Sequence, residues 1–517
     1  MPLGTKLSSG AAIAKSLLVP FERPDRLPRA LVAMAPWGTS IAALVAGAAA
    51  RYPDRVAVHD DTGPITYADL WQRASAAAAG LRDEGIGPGS AVGVLMRNHH
   101  DFVTASAAVA AVGADLVLLN TGFAAPQLAD VVEHERIRMI IHDDDFSDIV
   151  TGCGAELLVD ERRLDEWAGS GTIEPGAPAG RVIILTSGTT GRPKGAARAS
   201  DGSAIDGVAA VLDRIPLRAG DVQVIAAPLF HAWGFSHLLL GLSRCTTNVV
   251  RRRFDPAQTL QLLAEHRARV LVVVPVMLRR MMSVESLSSH PAPDLRVIAA
   301  SGSAIAGPLV TEVLDHFGPV LSNLYGSTEV AVATVADPDD LRTDPTTAGR
   351  VVFGVRVEIL DPHGEPLPDG QVGRIFVGGA LKFDGYTNGG DKERIRGLLS
   401  SGDMGRFENG LLFVEGRDDD MIVSGGENVF PQEVEELLAA HPAVVEAAVV
   451  GVPDDEFGQR LAAFVVARPG ADLDAEAVRT HVRQHLARHK VPRDVSFVDD
   501  LPRNTTGKLL RRQLTAE

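Results

Sequence analysis

Short apolar runs alternate with longer Ala-rich stretches whose apolar positions recur at helical spacing. Val92–Met96, Asp115–Leu119 and Met139–Ile141 read as strands, each after a helical stretch such as Tyr67–Leu81 or Phe102–Val112. The rhythm returns at Val222–Ala226, Val270–Val274 and Leu295–Ala299. Continuous Val, Ile and Leu between helices predicts a parallel sheet buried on both faces. From about Gly349 the strands become punctuated by Gly, Pro and Asp, at Val357–Leu360, Gly373–Val377 and Leu411–Val414. That texture predicts an antiparallel or barrel-like subdomain. Past Gly416 come a helix after Pro431, strands at Val444–Val450 and Leu461–Val466, and a helix at Asp474–Leu486. The expected fold is α/β. A large N-terminal domain (1–416) of parallel α/β subdomains plus a small barrel-like subdomain precedes a small α+β C-terminal domain (417–517).

Composition narrows the function classes. The chain has 517 residues, 50 Lys and Arg against 66 Asp and Glu, and a net charge of −16, which argues against a dedicated nucleic-acid binder. Two cysteines, Cys153 and Cys245, make no disulfide framework. Ala30–Ala50 is uncharged, but Pro36, Gly38, Thr39 and Ser40 break it, so a helix from about Ile41 capped by Thr39 or Ser40 is expected rather than a membrane span. Lys15 and Glu22 interrupt any signal-peptide core. The expectation is a cytoplasmic enzyme with neither export nor membrane segment.

The first chemical feature is Thr186-Ser187-Gly188-Thr189-Thr190-Gly191-Arg192-Pro193-Lys194-Gly195, directly after the apolar run Val182–Leu185. Its glycines let backbone approach an anion, its hydroxyls donate to phosphate oxygens, and Lys194 supplies charge. It is not a Walker A loop, since no Gly-Lys-Ser/Thr closes it and Pro193 ill suits a following helix. The alternative for this fragment is a plain Gly-Thr hairpin loop.

With Phe230-His231, Tyr325-Gly326-Ser327-Thr328-Glu329, Ser401-Gly402-Asp403, Gly416-Arg417-Asp418-Asp419 and Asn504-Thr505-Thr506-Gly507-Lys508 following in order, the chain resembles the adenylate-forming enzymes. The resemblance runs from about Ser40 to Leu514 and is nearest to bacterial fatty-acyl-CoA ligases, partly through Gly425-Gly426-Glu427-Asn428-Val429-Phe430-Pro431. It implies catalytic roles for Lys508, Glu329, His231 and Thr189. It implies nucleotide contacts from Thr186, Ser187, Gly188, Thr190, Lys194, Ser301, Gly302, Asn323, Tyr325, Gly326, Thr328, Asp403 and Arg417. The cosubstrates and cofactor implied are ATP, CoA and Mg²⁺, the last held by Glu329, since a hard cation takes a carboxylate. Tyr325 offers a flat face to adenine and Asp403 two oxygens to the ribose hydroxyls. Lys508 would stabilise the anionic first step.

For the second step the resemblance implies a mobile C-terminal domain that swings about a hinge at Asp419. Gly425 and Gly426 would line the pantetheine tunnel, and Lys490 and Arg493 are candidates for the CoA phosphates. His231 stands near where amino-acid-activating relatives place an aspartate, which points away from amino acids. Leu238–Leu242 and Ala299–Ala306 are candidate walls of an apolar acyl channel. The leading expectation is an ATP-dependent acyl-CoA ligase for a fatty acid. Alternatives are an aryl- or other carboxylate-CoA ligase, an acyl-AMP ligase serving a separate carrier protein, and an inactive nucleotide-binding scaffold. The sequence leaves oligomeric state open, a homodimer included.

Overall fold

The computed structural model describes residues 25–514 except 170, 175, 177–179, 188–192, 199–210, 213, 380–384, 386, 388–391, 425–426, 455–457 and 505–506. At 186–187, 193–194, 196–198, 419, 423–424, 427–428 and 458 only the backbone is described.

Among the described residues four sheets organise the chain. The first has nine strands, and its central six (Val56–Asp60, Thr247–Val249, Val222–Ile225, Val270–Val273, Val297–Ala300 and Leu321–Tyr325) are all parallel. Antiparallel strands close both of its edges: Gly63–Thr66 on one side, Thr334–Ala336 and Arg350–Val351 on the other. The second runs Leu157–Val159, Ile137–His142, Ala91–Leu95, Asp115–Leu118 and Val182–Ser187 in parallel, and is edged by antiparallel Pro193–Arg198. Parallel neighbours need crossovers, which the helices supply. One apolar cluster, from Trp37 to Val352, includes strand residues of both sheets and the helices of their crossovers.

Four helices matter below: α1 (Arg26–Met34), α2 (Ile41–Arg51), α3 (Ala232–Ser243) and α4 (Pro275–Met282). Ser40 caps α2 by accepting from the Ala43 N–H at 3.3 Å, as the sequence pattern predicts. The antiparallel edge strands were not expected. They are short: Gly63–Thr66 and Pro193–Arg198 carry Gly, Pro and polar residues, Arg350–Val351 has two residues, and Thr334–Ala336 is a buried stub at the end of the apolar stretch from Val330.

The third sheet is antiparallel: Arg356–Leu360, Gly373–Gly378 and Leu398–Glu408, with Arg394–Ile395 and Leu411–Arg417 both on the last of these. Among the described residues its edge strands 356–360 and 411–417 do not pair with each other. The latter instead meets the first sheet through the Gly349–Leu412 bridge. After a single turn at Asp418–Asp420 the fourth sheet begins. It comprises Glu427–Val429, Ile422–Ser424, Gly458–Ala467, Val444–Asp454 and Asp494–Phe497, and Pro431–Ala439 and Ala475–His485 supply its helices. Val434, Leu438, Val478 and Val482 from those helices join its own apolar cluster.

Candidate active site

Parallel strands deliver their following loops to one edge of the sheet, where α/β folds place ligands. In the first sheet, Ser301-Gly302 follows strand Val297–Ala300 and Tyr325 ends strand Leu321–Tyr325. His231 caps α3 with extended backbone, and its imidazole makes no cap bond, which leaves it to the space in front of the sheet. The third sheet adds Asp403 and Arg417, paired across two strands, and the last unit adds Lys508. A cavity of about 1880 Å³ lies where these elements meet. His231, Ser301, Gly302, Asn323, Tyr325, Gly326, Thr328, Glu329, Asp403, Arg417 and Lys508 all line it, so separations of up to 277 residues (231 to 508) close into one site.

The local geometry is specific. Tyr325 donates its hydroxyl to Asp403 at 2.6 Å, and Arg417 donates to the other carboxylate oxygen at 3.3 Å. Burial raises the Asp403 carboxyl above its ordinary range, while Tyr325 and Arg417 pull it back. Burial likewise raises the Tyr325 phenol, so it stays a donor at neutral pH. Gly326 follows because a Cβ there would stand 1.9 Å from the Ala331 carbonyl. Ser327 donates to Glu329 at 2.8 Å and accepts the Glu329 and Val330 N–H groups, fixing that carboxylate. Ser301 ties its loop to strand Leu321–Tyr325 by donating to the Leu324 carbonyl at 2.9 Å. Asn323 is buried with its Oδ1 lacking a hydrogen-bond partner, an acceptor left for a ligand N–H.

Lys508 sits on a turn held by its N–H to Asn504 Oδ1 at 2.8 Å. Gly507 before it has φ +79°, and a Cβ there would meet Val276 of α4 at 2.5 Å, so only glycine seats the turn this closely. Burial, and secondarily the Lys508 charge, push His231 down to about 4, leaving its imidazole neutral at pH 7.

Three further groups carry no sequence signal of their own. Lys392 lines the cavity and donates to the Ser401 carbonyl at 2.8 Å. Arg279 of α4 meets Glu446 at 3.1 Å and the Val445 carbonyl at 3.3 Å. Arg503 pairs with the same Glu446 and also donates to the Gly507 carbonyl at 2.6 Å.

Other expected residues fall elsewhere. Thr186 pairs with Lys194, and Ser187 with Pro193, across a hairpin whose tip, with Gly188, Thr189 and Thr190, lies outside the described residues, as do Gly425 and Gly426. Asp419 is described only as part of the Asp418–Asp420 turn. Lys490 and Arg493, candidates for CoA phosphates, are held by the carboxylates of Glu433 and Asp454 respectively.

His237, on α3, is fully buried, with neither ring nitrogen hydrogen-bonded and the ring edge-on to Trp233 at 4.4 Å. Burial, and then the nearby Arg244, push it down to about 3. The unfolded chain therefore takes up a proton below about pH 6.5 that the folded chain refuses, so stability falls as pH drops from 6.5 towards 3. The thermal midpoint, followed from pH 7.5 to 4, should drop less steeply in His237→Leu than in the wild type. An unchanged slope would remove His237 from the acid response.

The fold gathers carboxylates, a neutral imidazole and a lysine around one cavity at the meeting of three sheets. Residues 45–387 match the AMP-binding enzyme family and residues 433–508 the AMP-binding enzyme C-terminal domain, and the chain belongs to that family. A fatty acid–acyl-carrier-protein ligase of Streptomyces coeruleorubidus is 31% identical over 493 residues (89% of this chain, 94% of the relative). A feruloyl-CoA synthase of an Amycolatopsis species is 32% identical over 472 residues (89% and 96%). An o-succinylbenzoate CoA synthetase from Bacillus subtilis, solved with its acyl-adenylate intermediate, superposes with TM-score 0.81 at 27% identity, covering 92% and 98% of the two chains. The chain is thus an adenylate-forming enzyme of the acid–thiol ligase class. Among the described residues no helix is long and apolar enough to cross a membrane.

Proposed function

We propose that the protein activates a carboxylic acid with an apolar body, in the manner of a fatty-acid ligase, as its acyl-adenylate and passes the acyl group to CoA, releasing AMP and pyrophosphate. The observation that carries this reading is one cavity lined both by Lys508, His231, Glu329, Tyr325 and Asp403 and by Leu44, Trp233, Leu239 and Leu240 of α2 and α3.

On this reading Asp403, oriented by Tyr325 and Arg417, accepts from the ribose hydroxyls. The face of Tyr325 stacks on adenine, and the open Asn323 Oδ1 takes the exocyclic amine. The carboxylate of the acid attacks the α-phosphorus; the new O–P bond forms as the bond to pyrophosphate breaks. Lys508 draws the two anions together and offsets the charge gathering on the phosphoryl oxygens. Neutral His231 orients the incoming carboxylate without adding charge. Glu329, with one oxygen bonded by Ser327 and hard oxygen donors on both, fits Mg²⁺, which would neutralise the departing pyrophosphate. The thiol then attacks the acyl carbon and AMP leaves. A division at 416/417 with a hinge at Asp419 would let the last unit withdraw Lys508 and open the thiol path. The relative that serves an acyl carrier protein supports a second acceptor, a carrier-protein thiol.

The test is ATP-dependent pyrophosphate release over aliphatic and aryl acids, each with CoA, with carrier protein, or with neither. The expected result is acyl-CoA and AMP only when an aliphatic acid and CoA are both present. Thioester on carrier protein alone would move the acceptor, and a preference for aryl acids would replace the acid class.

A further inference from the structure

The cavity does not stop at the nucleotide end. Ala232, Ser236, Leu239 and Ser243, spaced as one face of α3, line it along the whole helix, and Ala43, Gly47 and Arg51 on one face of α2 line it from the other side. Gly47 makes room for Met34 of α1, which also lines this arm. α3 rises about 18 Å from end to end. That is the reach of an extended chain of roughly fifteen carbons, since each bond of about 1.5 Å advances the zigzag by about 1.3 Å.

At the far end the wall carries charge: the buried Arg51 ends α2 there, and Arg244 follows α3. Arg244, the residue after α3, lines the cavity yet is only 1% exposed. Its Nε and Nη1 have no hydrogen-bond partner, and among the described residues no carboxylate forms an ion pair with it. The Asp221 whose field reaches it is already within 3.5 Å of Arg269 and accepts the Arg218 N–H at 3.1 Å. Although burial lowers it to about 10, the guanidinium remains charged at neutral pH. A buried cation without a partner is strongly unfavourable, and a ligand anion relieves it. A methyl terminus at that point would leave the cost standing.

We propose that Arg244 forms an anion subsite at the deep end of the acyl arm, pairing with a second carboxylate at the distal end of the acid, so that the preferred substrate is a long α,ω-dicarboxylic acid. The inference rests on the ligase reading above and specifies its substrate.

Matched mono- and dicarboxylic acids of eight to eighteen carbons, scored by kcat/KM for pyrophosphate release with ATP and CoA, test it. The wild type should favour the diacid over the equal-length monoacid by about tenfold or more near the length that spans α3, a factor typical of one charge-assisted hydrogen bond. For short diacids the advantage should vanish. Arg244→Met should erase or invert the preference. A monoacid preferred at every length, or a ratio unchanged in Arg244→Met, would overturn the subsite. Should that variant fail to fold, the thermal shift of the wild type with hexadecanedioate against hexadecanoate, without ATP, decides: equal shifts refute the subsite. Silence of every acid in the pyrophosphate assay would remove the ligase reading, and the shift comparison would still judge Arg244 separately.

Discussion

Lys508→Ala should cut pyrophosphate release by about 10²–10³-fold, the usual consequence of removing one group aimed at developing charge. Thioester formation from a supplied acyl-adenylate should be nearly untouched. The asymmetry follows from geometry: Lys508 reaches the cavity only because the turn at Gly507 presses against Val276, and its charge is felt at both His231 and Asp403. Once the adenylate exists, no pair of anions remains to be drawn together. Single-turnover rates for the two half-reactions read the difference. Equal losses in both would mean that Lys508 serves the fold or both steps rather than the first.

Glu446→Gln should slow adenylation by roughly 10–100-fold, about 1.5–3 kcal/mol of lost coupling, while leaving the second half-reaction unchanged or faster. Glu446 stands between two guanidiniums, Arg279 from α4 and Arg503 five residues before Lys508, and all three side chains are a quarter exposed or less. Without its charge two cations face each other, and the last unit loses its hold on α4. The turn that presents Lys508 would then spend less time in the cavity. Glu446→Asp should restore part of the rate. A parallel fall in both half-reactions would point to a general loss of stability instead.

The sheets were legible where burial on both faces forces an unbroken apolar run, as at Val270–Val273 and Val92–Leu95. The edge strands were not, because Gly63–Thr66 and Pro193–Arg198 meet different demands at a sheet margin. The subdomain after Gly349, expected to be antiparallel or barrel-like, is an antiparallel sheet among the described residues. Strand 411–417 found its other neighbour in the Gly349 bridge, a pairing that alternation along the strand does not encode. The candidate site was read as residue types in a fixed order, and the cavity gathers the catalytic and nucleotide candidates whose side chains are described. Their mutual contacts were not. That the Tyr325 hydroxyl would spend itself on Asp403, 78 positions away, follows only from the folded register. Arg279, Glu446 and Arg503 each read as an ordinary surface charge until the chain brings them together. No motif in the sequence marks Arg244, and the structure buries it.

The interleaving of the first two sheets sets an order of events during synthesis. The second sheet draws all its strands from one stretch, Ala91 to Arg198, and completes with near neighbours as the chain emerges. Val56–Asp60, made earlier, must wait for Thr247–Val249, some 190 residues later, before its parallel partner exists. Until then Val56 and Val58 have only Gly63–Thr66 as a strand neighbour. The first-made strand is therefore among the last to be sheltered, and the nascent chain is most open to stray pairing in that interval.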